Sequence, residues 1–158
     1  MKNYRVPTLT IAGSDSSGGA GIQADLKTFS AIGTYGMSVI TAITAQNTEG
    51  VFDVEELSSE IIKSQIKAVC EDIPPKAIKI GMVSSPKIIK DIVESLEIYP
   101  CEYVVVDPVM ISKSGYSLLR PEAKENLIKY LIPKAYIVTP NVPEAEEISS
   151  IKIETVED

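Results

Sequence analysis

Two hydrophobic periods take turns along this chain. Short, nearly unbroken apolar runs predict buried strands at Leu9-Thr10-Ile11-Ala12, Ala77-Ile78-Lys79-Ile80, Tyr103-Val104-Val105-Val106 and Tyr136-Ile137-Val138. Met37 to Ala45, rich in β-branched residues, predicts a further strand ending at Gln46-Asn47-Thr48-Glu49-Gly50, and Val51 to Val54 a shorter one. Between them the period lengthens to that of a helix. Ile22, Leu26 and Phe29 form one stripe of a helix over Ile22–Ala31. Leu57 and a capping Ser58 precede a second helix, Ser59–Glu71, whose core face carries Ile62, Ile66 and Val69. Ser85-Pro86 opens a third, through Leu96, and Pro121 a fourth that turns Ala123, Leu127, Ile128 and Leu131 inward.

Apolar strands separated by amphipathic helices predict an α/β fold: βαβ units and a largely parallel sheet with helices on both faces. At 158 residues, with no repeat, low-complexity tract or linker, the chain fits within one domain. A composition 44% hydrophobic and 23% charged is that of a globular protein, and no apolar run is long enough to span a bilayer. The start, Met1 to Pro7, lacks a secretory pattern, so a cytoplasmic location is expected. A net charge of −7 argues against nucleic-acid and anionic-membrane partners, so phosphate binding must be local. Histidine is absent, which removes serine-hydrolase triads and most zinc chemistry. Cys70 and Cys101 have no partner spacing and read as small core residues.

Ligands of open parallel sheets bind outside the carboxyl ends of the strands. Polar residues gather there: Gly13-Ser14-Asp15, Gln46-Asn47, Gly81-Met82, Asp107-Pro108 and Thr139-Pro140-Asn141. Each alone is ordinary turn chemistry; together, with an amide and carboxylates among them, they favour a site. The loop Gly13 to Gly21 holds four glycines in nine residues. It is not a P-loop, because no Gly-Lys-Ser/Thr follows. Gly19-Ala20-Gly21-Ile22-Gln23-Ala24 matches the dinucleotide pattern G-x-G-x-x-A, but it starts several residues after the strand, and no ribose-binding acid stands near Ala45. A loop that lets a small ligand approach the backbone is the remaining functional reading.

The run from Leu9 through Gly13-Ser14-Asp15-Ser16-Ser17-Gly18-Gly19-Ala20-Gly21 to Phe29 is very similar to the opening of the hydroxymethylpyrimidine and phosphomethylpyrimidine kinases, of the ribokinase-like superfamily. Val39 to Thr48, Lys79-Ile80-Gly81-Met82, Val106-Asp107-Pro108-Val109-Met110, Lys113-Ser114-Gly115, Thr139-Pro140-Asn141 and Pro143-Glu144-Ala145 continue the resemblance in the family's order. It implies ATP- and Mg²⁺-dependent phosphorylation of the pyrimidine hydroxymethyl group, then of its phosphate, for thiamine diphosphate synthesis. It assigns the pyrimidine to Gly13, Ala20, Asp25, Gln46, Met82 and Val109. It assigns ATP and phosphate to Asp107, Lys113, Asn141 and Glu144, with Asp107, Asn141 and Glu144 supporting Mg²⁺ through water. A homodimer is compatible with it.

The chemistry agrees at Gln46, because a terminal amide pairs bidentately with an aminopyrimidine edge as it does with adenine. Asp25 reads either as an acceptor for the substrate hydroxyl or as a first-turn acid favoured by the helix dipole. Asn141 and Glu144 read otherwise as an N-cap and a solvated glutamate, and Lys113 as a surface charge.

Relatives continue to a second glycine-rich segment, Gly-Thr-Gly-Cys, which holds the anion hole and the catalytic group; nothing like it occurs here. Thr155-Val156-Glu157-Asp158 also reads as a helix start with no helix after it. The expectation is that residues 1–158 are the N-terminal portion of a single kinase domain, carry no catalytic residue and are inactive alone. Two other readings stand beside this one: a pyridoxal or pyridoxine kinase, which Ala45-Gln46-Asn47-Thr48 disfavours, and a non-catalytic fragment that binds a ligand or partner.

Overall fold

The computed structural model describes residues 5–110 and 121–155, and its frame is one six-stranded sheet. The strands are β1 (Pro7–Asp15), β2 (Tyr35–Gln46), β3 (Val51–Glu56), β4 (Ala77–Ile80), β5 (Tyr103–Val106) and β6 (Ile137–Val138), in the order β3-β2-β1-β4-β5-β6. Every neighbouring pair is parallel except β2 and β3, which form an antiparallel hairpin at one edge. The helices are α1 (Gly21–Ala31), α2 (Ser59–Asp72), α3 (Pro86–Ile98), α4 (Pro121–Asn126) and α5 (Val142–Ser149). The expected mostly parallel α/β sheet is the one observed. Among the described residues, no helix is long and apolar enough to cross a membrane.

Alternation along the strands sorts side chains into two layers. Leu9, Ile11, Val39, Ile78, Ile80, Val104 and Val106 point into one core, completed by Ile62, Ile66 and Cys70 of α2 and by Ile88, Ile89 and Ile92 of α3. Cys70 continues the Ile62–Ile66 stripe at a spacing of four, so it takes the buried position expected of Val69, which is only partly covered. The other face of β1 carries Thr8, Thr10 and Ala12, with Thr10 bonded to α1.

The helix starts follow their caps. Ser58 and Ser85 each accept a bond from the N–H three residues on, and Pro86 occupies the first turn. Lys63 ties α2 to α3 through Asp91 and Glu94, both at 2.8 Å.

Two expectations need correcting. β1 does not stop at Ala12 but runs on to Asp15, its pairing with β2 slipping register between Ala12 and Ser14. Such a slip is the mark of a bulge. The connecting loop is therefore shorter than Gly13–Gly21. The helix opened by Pro121 is α-helical only to Asn126. It passes through one π turn, Leu127–Leu131, and a 3-10 turn, Ile132–Lys134, because Pro133 has no N–H to continue the ladder. Of its inward residues, Ala123, Leu127 and Leu131 are buried, while Ile128 is only half-buried. Val156–Asp158, where a further helix start was expected, lie outside the described residues.

Candidate functional site

The carboxyl ends of β1, β2, β4, β5 and β6 surround a cleft of ≈ 650 Å³, within the range for small-molecule sites. Its geometry starts from Asp15. This last residue of β1 is 2% exposed, and both carboxylate oxygens are used by the loop that follows. Oδ1 accepts the Ser17 N–H and hydroxyl, each at 2.8 Å; Oδ2 accepts the N–H groups of Gly19 (2.9 Å) and Ala20 (2.8 Å). Gln23 of α1 locks the same turn by accepting the Asp15 N–H and donating to the Ser14 hydroxyl. Burial pushes the Asp15 carboxyl up, but the Ser17 hydroxyl and the N–H groups of Ser17, Ala20 and Gly19 outweigh it and hold the group below its usual value. Its stabilising contribution is complete above the ordinary Asp range and is lost as pH falls through the lowered value.

This bonding settles how the glycine loop is used. The Gly19 and Ala20 N–H groups that a dinucleotide pyrophosphate would need are already held by Asp15. Gly21 lets the loop close: its φ is +57°, and a Cβ there would stand 2.3 Å from the Gly13 carbonyl oxygen. Gly21→Ala therefore combines backbone strain with a clash against β1 that no rotamer relieves. The expected loss is about 2–4 kcal/mol of stability. Urea denaturation of both proteins checks it, and an unchanged midpoint would contradict the close approach.

Gly13, Ala20, Asp25, Gln46, Met82, Val109, Asp107, Asn141 and Glu144, the described residues singled out in the sequence, all line this one cleft. Lys113 lies outside the described residues. Gln46 ends β2, with its backbone pinned on both sides by the Ser16 hydroxyl (2.7 and 2.9 Å). Its side-chain oxygen accepts from Thr44 at 3.3 Å. Asn47 instead shapes the β2–β3 hairpin, its side chain accepting from the N–H groups of Glu49 and Gly50. Gly13 is bare because the Met82 methyl fills its place, 2.5 Å from where a Cβ would sit.

Asp25 is not a first-turn acid. α1 begins at Gly21, so Asp25 is its fifth residue, beyond the reach of the dipole argument. Its Oδ2 accepts the Thr10 hydroxyl at 2.6 Å and the Lys79 ammonium at 3.2 Å. Lys79 also reaches Asp107 Oδ2 at 3.5 Å.

Asn141 and Glu144 form a reciprocal capping box at the start of α5. Asn141 accepts the Glu144 N–H at 2.9 Å, and Glu144 Oε2 accepts the Asn141 N–H at 3.0 Å. The glutamate is 7% exposed rather than solvated, and its Oε1 accepts the Met110 N–H at 3.4 Å, tying α5 to the segment after β5.

Sequence reasoning missed Asp15, Thr10 and Lys79. Lys79 had a signal: a lysine at the third position of a four-residue strand buried on both sides is unusual without a partner.

A model of the phosphomethylpyrimidine kinase family matches residues 15–158. The hydroxymethylpyrimidine/phosphomethylpyrimidine kinase of Bacillus subtilis (strain 168) is 51% identical over 150 residues, which are 95% of this chain and 55% of that protein. The crystal structure of phosphomethylpyrimidine kinase from Clostridium difficile 630 superposes with a TM-score of 0.92 at 78% identity, covering 97% of this chain and 66% of that one. The pyridoxal kinase from Staphylococcus aureus in complex with AMP-PCP and pyridoxal superposes with a TM-score of 0.85 at 43% identity, covering 98% and 55%. The chain spans about half the length of the curated relatives it matches.

Proposed function

The chain belongs to the phosphomethylpyrimidine kinase family, and we propose that the protein carrying it phosphorylates 4-amino-5-hydroxymethyl-2-methylpyrimidine with ATP, and then the resulting monophosphate, for thiamine diphosphate synthesis. The observation that carries this reading is the meeting, in one cleft, of an amide at Gln46 and a carboxylate at Asp25 with Asp107.

The Gln46 amide pairs with the aminopyrimidine edge, donating to a ring nitrogen and accepting from the amino group. Met82 and Val109 supply apolar contact, and Gly13 and Ala20 bring backbone close to the ring. Asp25 accepts a hydrogen bond from the hydroxymethyl group, orienting its oxygen. In the transfer that oxygen forms the new bond to the γ-phosphorus, the bond from that phosphorus to the β,γ-bridging oxygen breaks, ADP leaves, and the hydroxyl proton passes to the catalytic base, which is proposed to lie outside these 158 residues.

A divalent metal fits the far end of the cleft, where the donors are all hard oxygens. Asp107 is partly exposed, while Asn141 and Glu144 are already bonded to backbone. Among the described residues, no three acidic or cysteine groups form a ready cage. That donor set suits Mg²⁺, which keeps several waters and is held by one or two carboxylates plus substrate phosphates. When bound, the metal neutralises charge on the ATP phosphates. Asp107 would hold it directly, and Asn141 with Glu144 would support it through water. Lys113 is proposed to steer phosphate. The catalytic group belongs to a segment beyond these 158 residues, so the chain alone is proposed to be inactive. A cytoplasmic location accompanies this reading.

Gln46→Ala in a full-length enzyme carrying these residues is expected to cost about 1–3 kcal/mol of pyrimidine binding. That is roughly 5- to 150-fold in affinity. An unchanged Michaelis constant and turnover for hydroxymethylpyrimidine would remove Gln46 from the site. The function itself is tested by assaying that enzyme with MgATP and hydroxymethylpyrimidine, its monophosphate, or pyridoxal. A preference for pyridoxal overturns the reading in favour of a vitamin B6 kinase, which the likeness to the pyridoxal kinase structure keeps as the second choice. Tight binding without turnover of either would favour a non-catalytic role.

A further inference from the structure

We infer that Lys79 is a positioning residue for phosphoryl transfer, its ammonium clamping the substrate-side carboxylate Asp25 and the phosphate-side carboxylate Asp107 across the middle of the cleft. The inference rests on the kinase reading above for its catalytic consequence, but the clamp itself stands on geometry.

Among the described residues, four acids line the cleft: Asp15, Asp25, Asp107 and Glu144. Two of them are answered locally by backbone N–H groups, Asp15 in its loop and Glu144 in its capping box. Asp25 and Asp107 are not. Among the described residues, Lys79 is the only cation lining the cleft, and it contacts both, at 3.2 and 3.5 Å.

The sheet aims the lysine there. Lys79 pairs with Thr10 on β1 and with Val105 on β5, so its side chain rises from the centre of the sheet on the α1 face. Thr10 donates to the same Asp25 oxygen as Lys79, which fixes that carboxylate from two sides. Gly81 leaves room for the lysine head: a Cβ there would stand 2.7 Å from Lys79 Nζ. The ammonium and Asp25 are three-quarters or more buried, whereas Asp107 is 36% exposed. The longer, wetter contact is the one to Asp107, so that half of the clamp yields when a metal–nucleotide approaches, while Asp25 stays held.

Without the ammonium, two carboxylates would face the incoming polyphosphate with no fixed positive charge between them. Their orientation would relax, and transfer depends on placement to within about 1 Å.

The test uses a full-length enzyme carrying these residues, with Lys79→Met and Lys79→Arg. Lys79→Met is expected to lower kcat on the order of 100-fold. The Michaelis constant for the pyrimidine should stay within about threefold, since Gln46 reads the ring. Lys79→Arg keeps the charge and should recover most of the loss. A second readout needs no turnover. Mn²⁺ titrated without nucleotide should bind Lys79→Met roughly threefold or more tightly than wild type, because Asp107 loses its competing cation. A purely structural lysine would lower stability and leave Mn²⁺ affinity alone.

A kcat within threefold of wild type overturns the inference, and so does Mn²⁺ affinity that is unchanged or unmeasurable in both proteins. Should Lys79→Met fail to fold, Lys79→Gln decides by the same measurements. If wild type does not phosphorylate hydroxymethylpyrimidine, the proposed function falls, while the Mn²⁺ comparison still decides the clamp.

Discussion

Purified alone, the 158-residue chain is expected to show no measurable kinase activity with MgATP and hydroxymethylpyrimidine, and to gain it when mixed with the C-terminal part of a full-length relative. The reason lies in the cleft. Phosphoryl transfer needs positive charge and N–H donors around the transferring group. The N–H groups of Gly19 and Ala20 are held by Asp15, and those of Asn141 and Glu144 by their capping box. Among the described residues, the cleft's one cation already bridges two carboxylates. Missing donors of this kind cost roughly 100- to 1000-fold each, and a missing cationic finger more. Among the described residues the sheet also ends in β6, two residues long, beside the exposed side chains of Tyr103, Tyr136 and Ile137. Such an edge invites association, so sedimentation should show the isolated chain self-associating as concentration rises. Turnover by the chain alone, at a rate near that of the full-length enzyme, would sink the proposal.

The sheet was legible in the sequence because its strands are short apolar runs and its helices carry one-sided stripes. β4 and β5 came out with the observed bounds for that reason. β1 did not. Ala12 looks like the end of a strand, yet the strand runs three residues further through a register slip, and a slip depends on the partner strand rather than on local composition. The π turn at Leu127 was equally hidden, since Leu127 and Leu131 keep helical spacing through it. The cleft was legible as a set of strand ends, and every described residue singled out lines it. What each one touches was not. Asp15 read as one member of a turn, although its two oxygens organise the whole loop. Thr10 and Lys79 sit in strands read as apolar, and only the third dimension brings them to Asp25. Asn141 and Glu144 are legible as a pair three residues apart, but not their reciprocal capping box or the burial of the glutamate, which depend on the segment after β5 packing over them.

Asp107→Asn in a full-length enzyme is expected to lower kcat roughly 100- to 1000-fold while leaving pyrimidine affinity within a few-fold. The substitution keeps the shape and removes the charge. The backbone around it should hold, because the Asp107 N–H donates to the Ile80 carbonyl and the Asp107 carbonyl accepts from Val109, both main-chain bonds at 2.8 Å. The carboxylate itself is partly exposed at the end of β5, with Lys79 on one side and open cleft on the other. Wild-type activity should require Mg²⁺ or Mn²⁺ and disappear with EDTA. The sign of the metal effect separates the two central residues. On the proposed metal site, Asp107→Asn removes a ligand and should weaken Mn²⁺ binding, whereas Lys79→Met removes a competitor and should strengthen it. Equal losses in kcat and in pyrimidine binding for Asp107→Asn would assign the carboxylate a structural role. Mn²⁺ affinity moving the same way in both variants would show that Lys79 and Asp107 do not share the site in the manner their 3.5 Å contact implies.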